Sequence, residues 1–217
     1  MENTKEPIYN QLANLIYVEG LKPSFAATLL CVAFSACNQP LGIPMIVSKY
    51  FSTLDSIDEK VKWIEYTRNA IIKSSVISGI ARGINGQVEL YQSIPKEYQT
   101  LLRKTPTIDE NNNHGNTRGV ELIRKVYGTE SEWVELELNA TNPDLYCWTK
   151  QVYGNVLAET TYLNCLETEL VLIVTLIQMN TLRQLRYHLD NAKQLGAIDQ
   201  QIQSVESIGI GVRNAFL

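Results

Sequence analysis

The stretch that decides the fold is residues 167–205, ETELVLIVTLIQMNTLRQLRYHLDNAKQLGAIDQQIQSV. Its first part, residues 170–179, is mostly apolar and is followed by the polar pair Asn180 and Thr181. Beyond that pair, apolar and polar residues recur at helical spacing as far as Gly196, and a glycine after the last periodic residue is typical of a helix end. The pattern therefore predicts an apolar helix, a turn and a second, amphipathic helix.

Two ionisable side chains flank the predicted turn. Glu169 begins the apolar helix, and His188 lies on the second helix. Thr181, Gln184 and His188 are spaced so that they share one face of that helix. An antiparallel return would bring the carboxylate toward the same face, and an acid beside an imidazole among apolar side chains is suited to moving a proton. We therefore expect Glu169 and His188 to be catalytic, with Thr181 and Gln184 bonding a substrate.

Arginines lie on the same helix, and simpler interpretations of the whole pattern stay open. Arg183 or Arg186 could hold a substrate carboxylate, and spacing does not decide which of them faces a pocket. Alternatively, both are surface or subunit contacts. Glu169 could be a first-turn carboxylate that the helix dipole favours, and His188 could be an ordinary hydrogen-bonded helix residue.

The rest of the chain also has helical periodicity, with no convincing run at strand spacing, so we predict an all-α fold. Residues 103–118 are polar and rich in Asn, which predicts an exposed loop or linker with His114 as a solvated side chain. The predicted organisation is a divergent helical half at 1–102, this linker, and a second helical half at 119–217.

Residues 68–89 can be laid over residues 168–189, because both contain an apolar helix, a turn and a second amphipathic helix. In this overlay Asn69 falls opposite Glu169, and Val88 falls opposite His188. The overlay is consistent with an internal duplication whose first copy has the scaffold without the chemistry. Chance similarity between two amphipathic helix pairs is the alternative.

Composition excludes several classes of protein. The chain has 217 residues, of which 45% are hydrophobic and 19% charged, with a net charge of -4, as expected of a folded protein. Without a dense basic cluster, and with a pI near 5.3, we expect no nucleic-acid partner. The apolar run at 170–179 is too short to cross a bilayer, so no membrane association is expected.

The location and the state of the cysteines follow from the same sequence. The N-terminus lacks a secretory signal, which predicts an intracellular protein, with the cytoplasm favoured. The final Ala-Phe-Leu ends like a peroxisomal address but lacks its basic middle residue, so the peroxisome is the alternative. No CxxC pair or metal-ligand spacing is present, and we expect buried, reduced cysteines and no metal site. The four cysteines are Cys31, Cys37, Cys147 and Cys165.

The pattern of Glu169, Thr181, Gln184, His188 and Gly196 resembles the motif of the carboxymuconolactone decarboxylase and alkyl hydroperoxidase D superfamily of small all-helical enzymes. In the redox branch of that superfamily, two cysteines stand where this chain has Thr181 and Gln184. The carboxylate and the histidine therefore match, whereas the dithiol is absent. Weaker similarity to a fungal subgroup with a divergent front half lies at 73–76, 82–85, 118–128 and 152–154.

The resemblance implies a hydroperoxidase D-like fold and a lyase that needs no organic cofactor or metal. Such an enzyme would remove carbon dioxide from a small carboxylated lactone or enol-like metabolite, with His188 as proton donor or oxyanion partner and Glu169 orienting it. A homo-oligomer (dimer, trimer or hexamer) is also implied. Peroxide reduction by a dithiol is not expected, because that mechanism needs a thiolate and a resolving thiol.

Two other classes of function stay open. One is a non-catalytic small-ligand-binding or assembly protein on the same fold. The other is a peroxide-related oxidoreductase that uses Cys165 or Cys147 as a lone thiol.

Overall fold

A computed structural model describes residues 5–108 and 115–216, and these residues form helices and connecting turns with no strand. The all-α prediction is therefore confirmed. The α-helices are α1 (Glu6–Leu12), α2 (Pro23–Ala36), α3 (Ile43–Phe51), α4 (Ile57–Ser78), α5 (Ile80–Gln92), α6 (Lys96–Leu101), α7 (Gly115–Tyr127), α8 (Ser131–Thr141), α9 (Pro143–Val152), α10 (Cys165–Met179), α11 (Leu182–Gln194) and α12 (Asp199–Phe216). A π-helical turn, Tyr153–Leu157, follows α9.

Helix α2 is the centre of the fold. Its sequence, PSFAATLLCVAFSA, has no charged residue, and nearly every side chain in it is buried. Pro23 occupies the first turn, where the missing backbone N–H costs nothing because that group has no partner inside a helix. Helices α3, α4, α5, α10 and α12 all contact α2. A helix that is apolar on every side is stable only when it is surrounded in this way.

The predicted helix–turn–helix is present as α10 and α11, which we call the rear pair. Asn164 caps α10 by accepting a hydrogen bond from the backbone N–H of Glu167, whose side chain accepts one from the N–H of Asn164 in return. The helix ends at Asn180 in the left-handed conformation, with a φ of 55°. Asparagine tolerates that conformation better than most residues, which explains the break at the predicted position.

Helices α4 and α5, the front pair, repeat this arrangement. Gly79 alone separates them, and its φ of 97° is one that residues other than glycine rarely adopt. Helix α4 packs against α10, and within this buried contact the hydroxyls of Ser74 and Thr175 form a hydrogen bond of 2.9 Å. The two helix pairs therefore meet along their first helices.

The predicted front and rear halves share one hydrophobic core. A single cluster of buried residues joins Leu30 and Ile71 of the front with Val171 and Val205 of the rear. Helix α7 begins at Gly115, inside the segment predicted as a linker at 103–118. His114 lies outside the described residues. The two halves are thus packed as one unit in the part of the chain that the structure describes.

Helix α7 lies unusually close to α9 and to the π-helical turn, and glycines allow this approach. A Cβ at Gly119 would lie 2.7 Å from the carbonyl carbon of Lys150, and a Cβ at Gly154 would lie 2.6 Å from the carbonyl carbon of Gly115. The close packing brings α7 against the rear pair, where its side chains help to form the site described below. Among residues 5–108 and 115–216, none of the helices combines the length and the apolar character that crossing a membrane requires.

Candidate functional site

Glu169 and His188 meet in the interior of the rear pair. His188 Nδ1 lies 2.6 Å from Glu169 Oε2, and the two side chains are 1% and 3% exposed, respectively. Because α10 begins at Cys165, Glu169 lies in its second turn rather than its first. The alternative that Glu169 is a dipole-favoured first-turn carboxylate is therefore wrong, and Glu167 has that position instead. The pair is held by burial and by its own hydrogen bond.

The other nitrogen of His188, Nε2, is buried and has no hydrogen-bond partner among the described residues. An imidazole that donates from Nδ1 to a carboxylate has its Nε2 lone pair available as a proton acceptor. A buried polar atom without a partner is costly, and such atoms are concentrated at functional sites. The Glu169–His188 pair therefore has one unused acceptor besides its internal bond.

Glu169 lines a cavity of about 270 Å³, which we call the rear cavity. The other polar or ionisable residues of its lining are Arg118, Glu121, Lys125, Cys165, Thr168 and Asn191. His188 is not part of the lining and lies behind Glu169. Arg118 Nε and Thr168 Oγ1 are buried and lack a hydrogen-bond partner within residues 5–108 and 115–216. The cavity thus has an acid, a guanidinium and a hydroxyl that a small molecule could contact.

A buried lysine lies close to this site. Lys73 of α4 is fully buried, and its Nζ donates to the carbonyl oxygens of Leu157 at 2.8 Å and Glu159 at 2.6 Å. Burial lowers the pKa of Lys73 to about 8, although the negative charges of Glu159 and Glu169 oppose that shift. Lys73 therefore ties the front pair to the segment that forms one wall of the rear cavity.

The four predicted substrate-binding residues lie elsewhere. Thr181 is half-buried, whereas Gln184, Arg183 and Arg186 are exposed, and none of the four lines the rear cavity. Arg183 pairs with Glu137 of α8 at 3.1 Å, and Arg186 pairs with Glu130 at 3.4 Å. The first turn of α11 is exposed, so its side chains point to solvent and to α8. The expectation that they share a pocket with Glu169 is not met.

Other residues line the rear cavity where these four were expected. Asn191 follows His188 by one helical turn, so extending the predicted face of α11 forward instead of backward would have found it. Arg118 lies at the end of the segment predicted as a polar linker, and nothing in its surroundings in the sequence indicates a cavity. Thr168 precedes Glu169, and the sequence did not single it out because it lies next to a long apolar run.

The cysteines are only partly as predicted. Cys31 is buried, and burial raises its pKa far above the usual range for a thiol. Cys37 is half-buried, with its pKa raised to about 11 mainly by burial. Cys147 and Cys165 are exposed, so the expectation of four buried thiols is wrong for these two. Cys165 begins α10, and its side chain borders the rear cavity.

Comparison with known proteins gives relatives without a stated activity. The chain is 29% identical over 194 residues to a Schizosaccharomyces pombe protein named "Peroxisomal protein 2", an alignment that covers 88% of this chain and 87% of that protein. It is 26% identical over 166 residues to a Saccharomyces cerevisiae protein of the same name, covering 66% of this chain and 59% of that protein. No protein-family model matches the sequence. No solved structure matches it either.

Proposed function

We propose that this chain is a cofactor-independent, decarboxylase-like lyase that acts by proton transfer on a small carboxylated lactone or enol-like metabolite in the rear cavity. The observation that carries the proposal is the buried hydrogen bond of 2.6 Å between His188 and Glu169, with the acid on the cavity wall. A buried acid that is coupled to an imidazole beside a cavity has the arrangement of a general acid and base. The superfamily resemblance at Glu169 and His188 supports the same reaction class.

The roles that the geometry supports differ from those suggested by the sequence. Loss of carbon dioxide from a β,γ-unsaturated carboxylate breaks the bond to the carboxylate carbon, leaves the electron pair in a dienolate, and ends when carbon takes up a proton. Glu169 lines the cavity, so it would take up a proton from solvent there and deliver it to the carbon, and His188 behind it, with its own proton on Nδ1, would orient the carboxyl group. Arg118 would stabilise the negative charge that develops on the carbonyl oxygen of the lactone.

The proposal is tested by incubating the purified chain in D₂O with an unsaturated γ-lactone whose carboxylate is β,γ to the double bond. Release of carbon dioxide and deuterium incorporation into the product are followed by gas analysis and proton NMR. We expect Glu169→Gln, which retains the shape of the side chain, to lower the rate by about 100-fold or more. Arg183→Ala is the matched control and retains the wild-type rate. Equal rates for Glu169→Gln and the wild type would remove Glu169 from the chemistry.

Binding without turnover is the second candidate function. It is supported by the unpartnered Arg118 Nε and Thr168 Oγ1, which a bound molecule would satisfy, and by the position of His188 outside the cavity lining. Saturable binding of the same lactone with no product, unchanged in Glu169→Gln, is the result that would favour this candidate over the lyase.

A thiol-based peroxide activity is separable from both candidates by Cys165, the exposed thiol at the edge of the rear cavity. Treatment with iodoacetamide at neutral pH, followed by mass spectrometry of each cysteine, compares it with Cys147. Rapid modification of Cys165 alone would favour a reactive lone thiol. Equally slow modification of both would exclude that function.

The location that the relatives support is the peroxisome, because both carry the name "Peroxisomal protein 2". We therefore propose a peroxisomal rather than a cytoplasmic location for this chain. A fluorescent protein fused to the N-terminus and expressed in yeast should coincide with a peroxisomal marker. Diffuse fluorescence throughout the cytoplasm would restore the cytoplasmic expectation.

Self-association is part of the same proposal. The exposed face of α5 carries Ile80, Ile84 and Val88, which are 74%, 57% and 43% exposed, and none of the exposed side chains on this helix is charged. An uncharged apolar face of this kind suits contact with a second copy of the chain. Light scattering at micromolar concentration should give a multiple of the 24.5 kDa chain mass, and Ile84→Asp should lower it. A monomeric mass for the wild type would contradict self-association.

A further inference from the structure

The front pair has a cavity of its own beside the residues that the sequence overlay places opposite the catalytic acid. This front cavity has a volume of about 380 Å³, and its polar lining residues are Arg68, Asn69, Gln87, Arg103 and Thr107. In the overlay, Arg68 and Asn69 correspond to Thr168 and Glu169, which line the rear cavity. Each helix pair therefore has a cavity against the same part of its first helix.

Two guanidinium groups give the front cavity a basic end. Arg68 Nη1 lies 2.8 Å from Glu65 Oε1, and Arg103 Nε lies 3.7 Å from Glu65 Oε2. Glu65 also accepts a hydrogen bond of 2.6 Å from the backbone N–H of Arg103. One carboxylate is thus shared between two arginines, which leaves a net positive charge at this end. Arginine pairs of this kind bind oxyanions through several parallel N–H groups.

The same cavity also has hydrogen-bond acceptors in its lining. Asn69 is 7% exposed, and its Oδ1 is buried without a partner among the described residues. Its Nδ2 faces Glu159 Oε2 at 3.4 Å, and turning the amide over would place two oxygens together, so Oδ1 is the atom that points away from Glu159. Gln87 donates from Nε2 to the carbonyl oxygen of Arg68 at 2.6 Å, which leaves its Oε1 as a second acceptor.

We propose that the front cavity is a second ligand site, which binds a small carboxylate that also carries a hydroxyl donor. The carboxylate would take the N–H groups of Arg68 and Arg103, and the hydroxyl would donate to the unpartnered Oδ1 of Asn69. Ile72 and Ile108 line the same cavity and supply contact for a short carbon chain. The proposal does not depend on the lyase reaction, because Glu169 and Arg118 lie outside this cavity.

The test compares 3-hydroxybutyrate with butyrate, which differ by the hydroxyl group alone. Binding to the full chain is measured by saturation-transfer NMR and calorimetry, with inorganic phosphate as a third probe. We expect saturable binding of 3-hydroxybutyrate at millimolar concentration, as suits a ligand of few atoms, and weaker binding of butyrate. Asn69→Leu should abolish that preference for the hydroxyl compound. Binding of phosphate in place of both carboxylates would overturn the assignment.

Arg103→Lys is the variant that separates binding from folding. It retains a positive charge beside Glu65 but loses the planar pair of N–H groups, so we expect an intact fold and an affinity about tenfold lower. Arg118→Gln, in the rear cavity, should leave the binding of 3-hydroxybutyrate unchanged. Unchanged affinity in Arg103→Lys, or loss of binding in Arg118→Gln, would show that the carboxylate binds elsewhere. Failure of the lyase assay has no bearing on either result.

Discussion

The front and rear helix pairs follow the same plan but differ at the break between their helices. Gly79 alone separates α4 from α5, whereas Asn180 and Thr181 separate α10 from α11. Helix α10 ends one residue later in the overlay than α4 does, and the break that follows is one residue longer. Helix α11 therefore begins two residues later than its counterpart α5. Counted from the start of each second helix, Gly86 and His188 are both the seventh residue, and both are buried. Val88, the counterpart expected from the sequence overlay, is 43% exposed.

The difference shows how one scaffold accommodates two kinds of interior. At Gly86 the backbone of α5 lies so close to α2 that an added Cβ would be 2.7 Å from the Cβ of Ser35. At the matching place in the rear pair there is room for an imidazole and for the carboxylate of Glu169. Close backbone packing therefore replaces the acid–imidazole pair in the front half, while polar residues of that half, such as Asn69 and Gln87, line the front cavity.

The largest effect should come from removing the rear imidazole. His188→Ala leaves the carboxylate of Glu169 buried without its partner, which should lower the free energy of unfolding by about 3–5 kcal/mol. Val88→Ala, at the position that the overlay matched, should change it by less than about 0.5 kcal/mol. Urea denaturation of both variants measures the difference. Similar small losses in the two variants would mean that the buried pair adds nothing to the rear half.

The second effect concerns Lys73, the buried ammonium that the front pair contributes beside the rear cavity. Its pKa falls from 10.5 to about 8 on folding, so the folded state releases this proton before the unfolded state does. Stability should therefore rise as the pH increases from about 8 to about 10, by at most roughly 3 kcal/mol, and Lys73 should make no pH-dependent contribution well below pH 8, where both states hold the proton. Lys73→Met should remove this rise in the free energy of unfolding between about pH 8 and pH 10. A wild type and variant with parallel pH profiles would show that the pKa is unshifted.

The third effect tests the close approach at Gly86. Gly86→Ala should lower the free energy of unfolding by about 1–3 kcal/mol, because the new methyl group overlaps Ser35. Gly211→Ala in α12 is the matched control, since its added Cβ would meet Leu15 at 3.3 Å and the helix gains from alanine. Thermal unfolding should give Gly86→Ala a lower midpoint temperature than Gly211→Ala. A stabilising Gly86→Ala would mean that the front pair has room for a side chain after all.

The smallest effect should be at Arg183, on the exposed first turn of α11. Its ion pair with Glu137 joins side chains that are 55% and 45% exposed, so Arg183→Ala should change stability by less than about 0.5 kcal/mol. It should also leave ligand binding in the rear cavity unchanged, whereas Arg118→Gln weakens it. Calorimetry with the carboxylated lactone compares the two variants. Loss of binding in Arg183→Ala alone would restore the substrate-binding role predicted from the sequence.

Sequence reasoning found the rear pair because its signals are local. The apolar run, the Asn180 break and Gly196 each act within a few residues, and they define the end of α10 and both ends of α11. The meeting of Glu169 with His188 also follows from local geometry, since one short turn joins their helices. The start of α10 was misplaced because the Asn164 cap precedes the apolar run.

The residues that line the rear cavity could not be predicted from the sequence, because long-range packing positions them. Arg118 reaches the rear cavity only because Gly119 and Gly154 let α7 lie against α9 and the π-helical turn, a contact between segments far apart in the sequence. The direction of Gln184 likewise depends on which turn of α11 the neighbouring helices cover. Periodicity identifies a helix face, but it does not tell which turns of that face are buried.

Nitrogen NMR of the His188 imidazole tests the buried Glu169–His188 pair most directly. The chain has two histidines, so a His114→Gln variant identifies the signals of His188. We expect a proton on Nδ1 that exchanges slowly with water because it is held between His188 and Glu169, and this slow exchange should be lost in Glu169→Leu. A proton found on Nε2 with Nδ1 bare, or exchange as fast as that of a solvated imidazole, would contradict the buried pair.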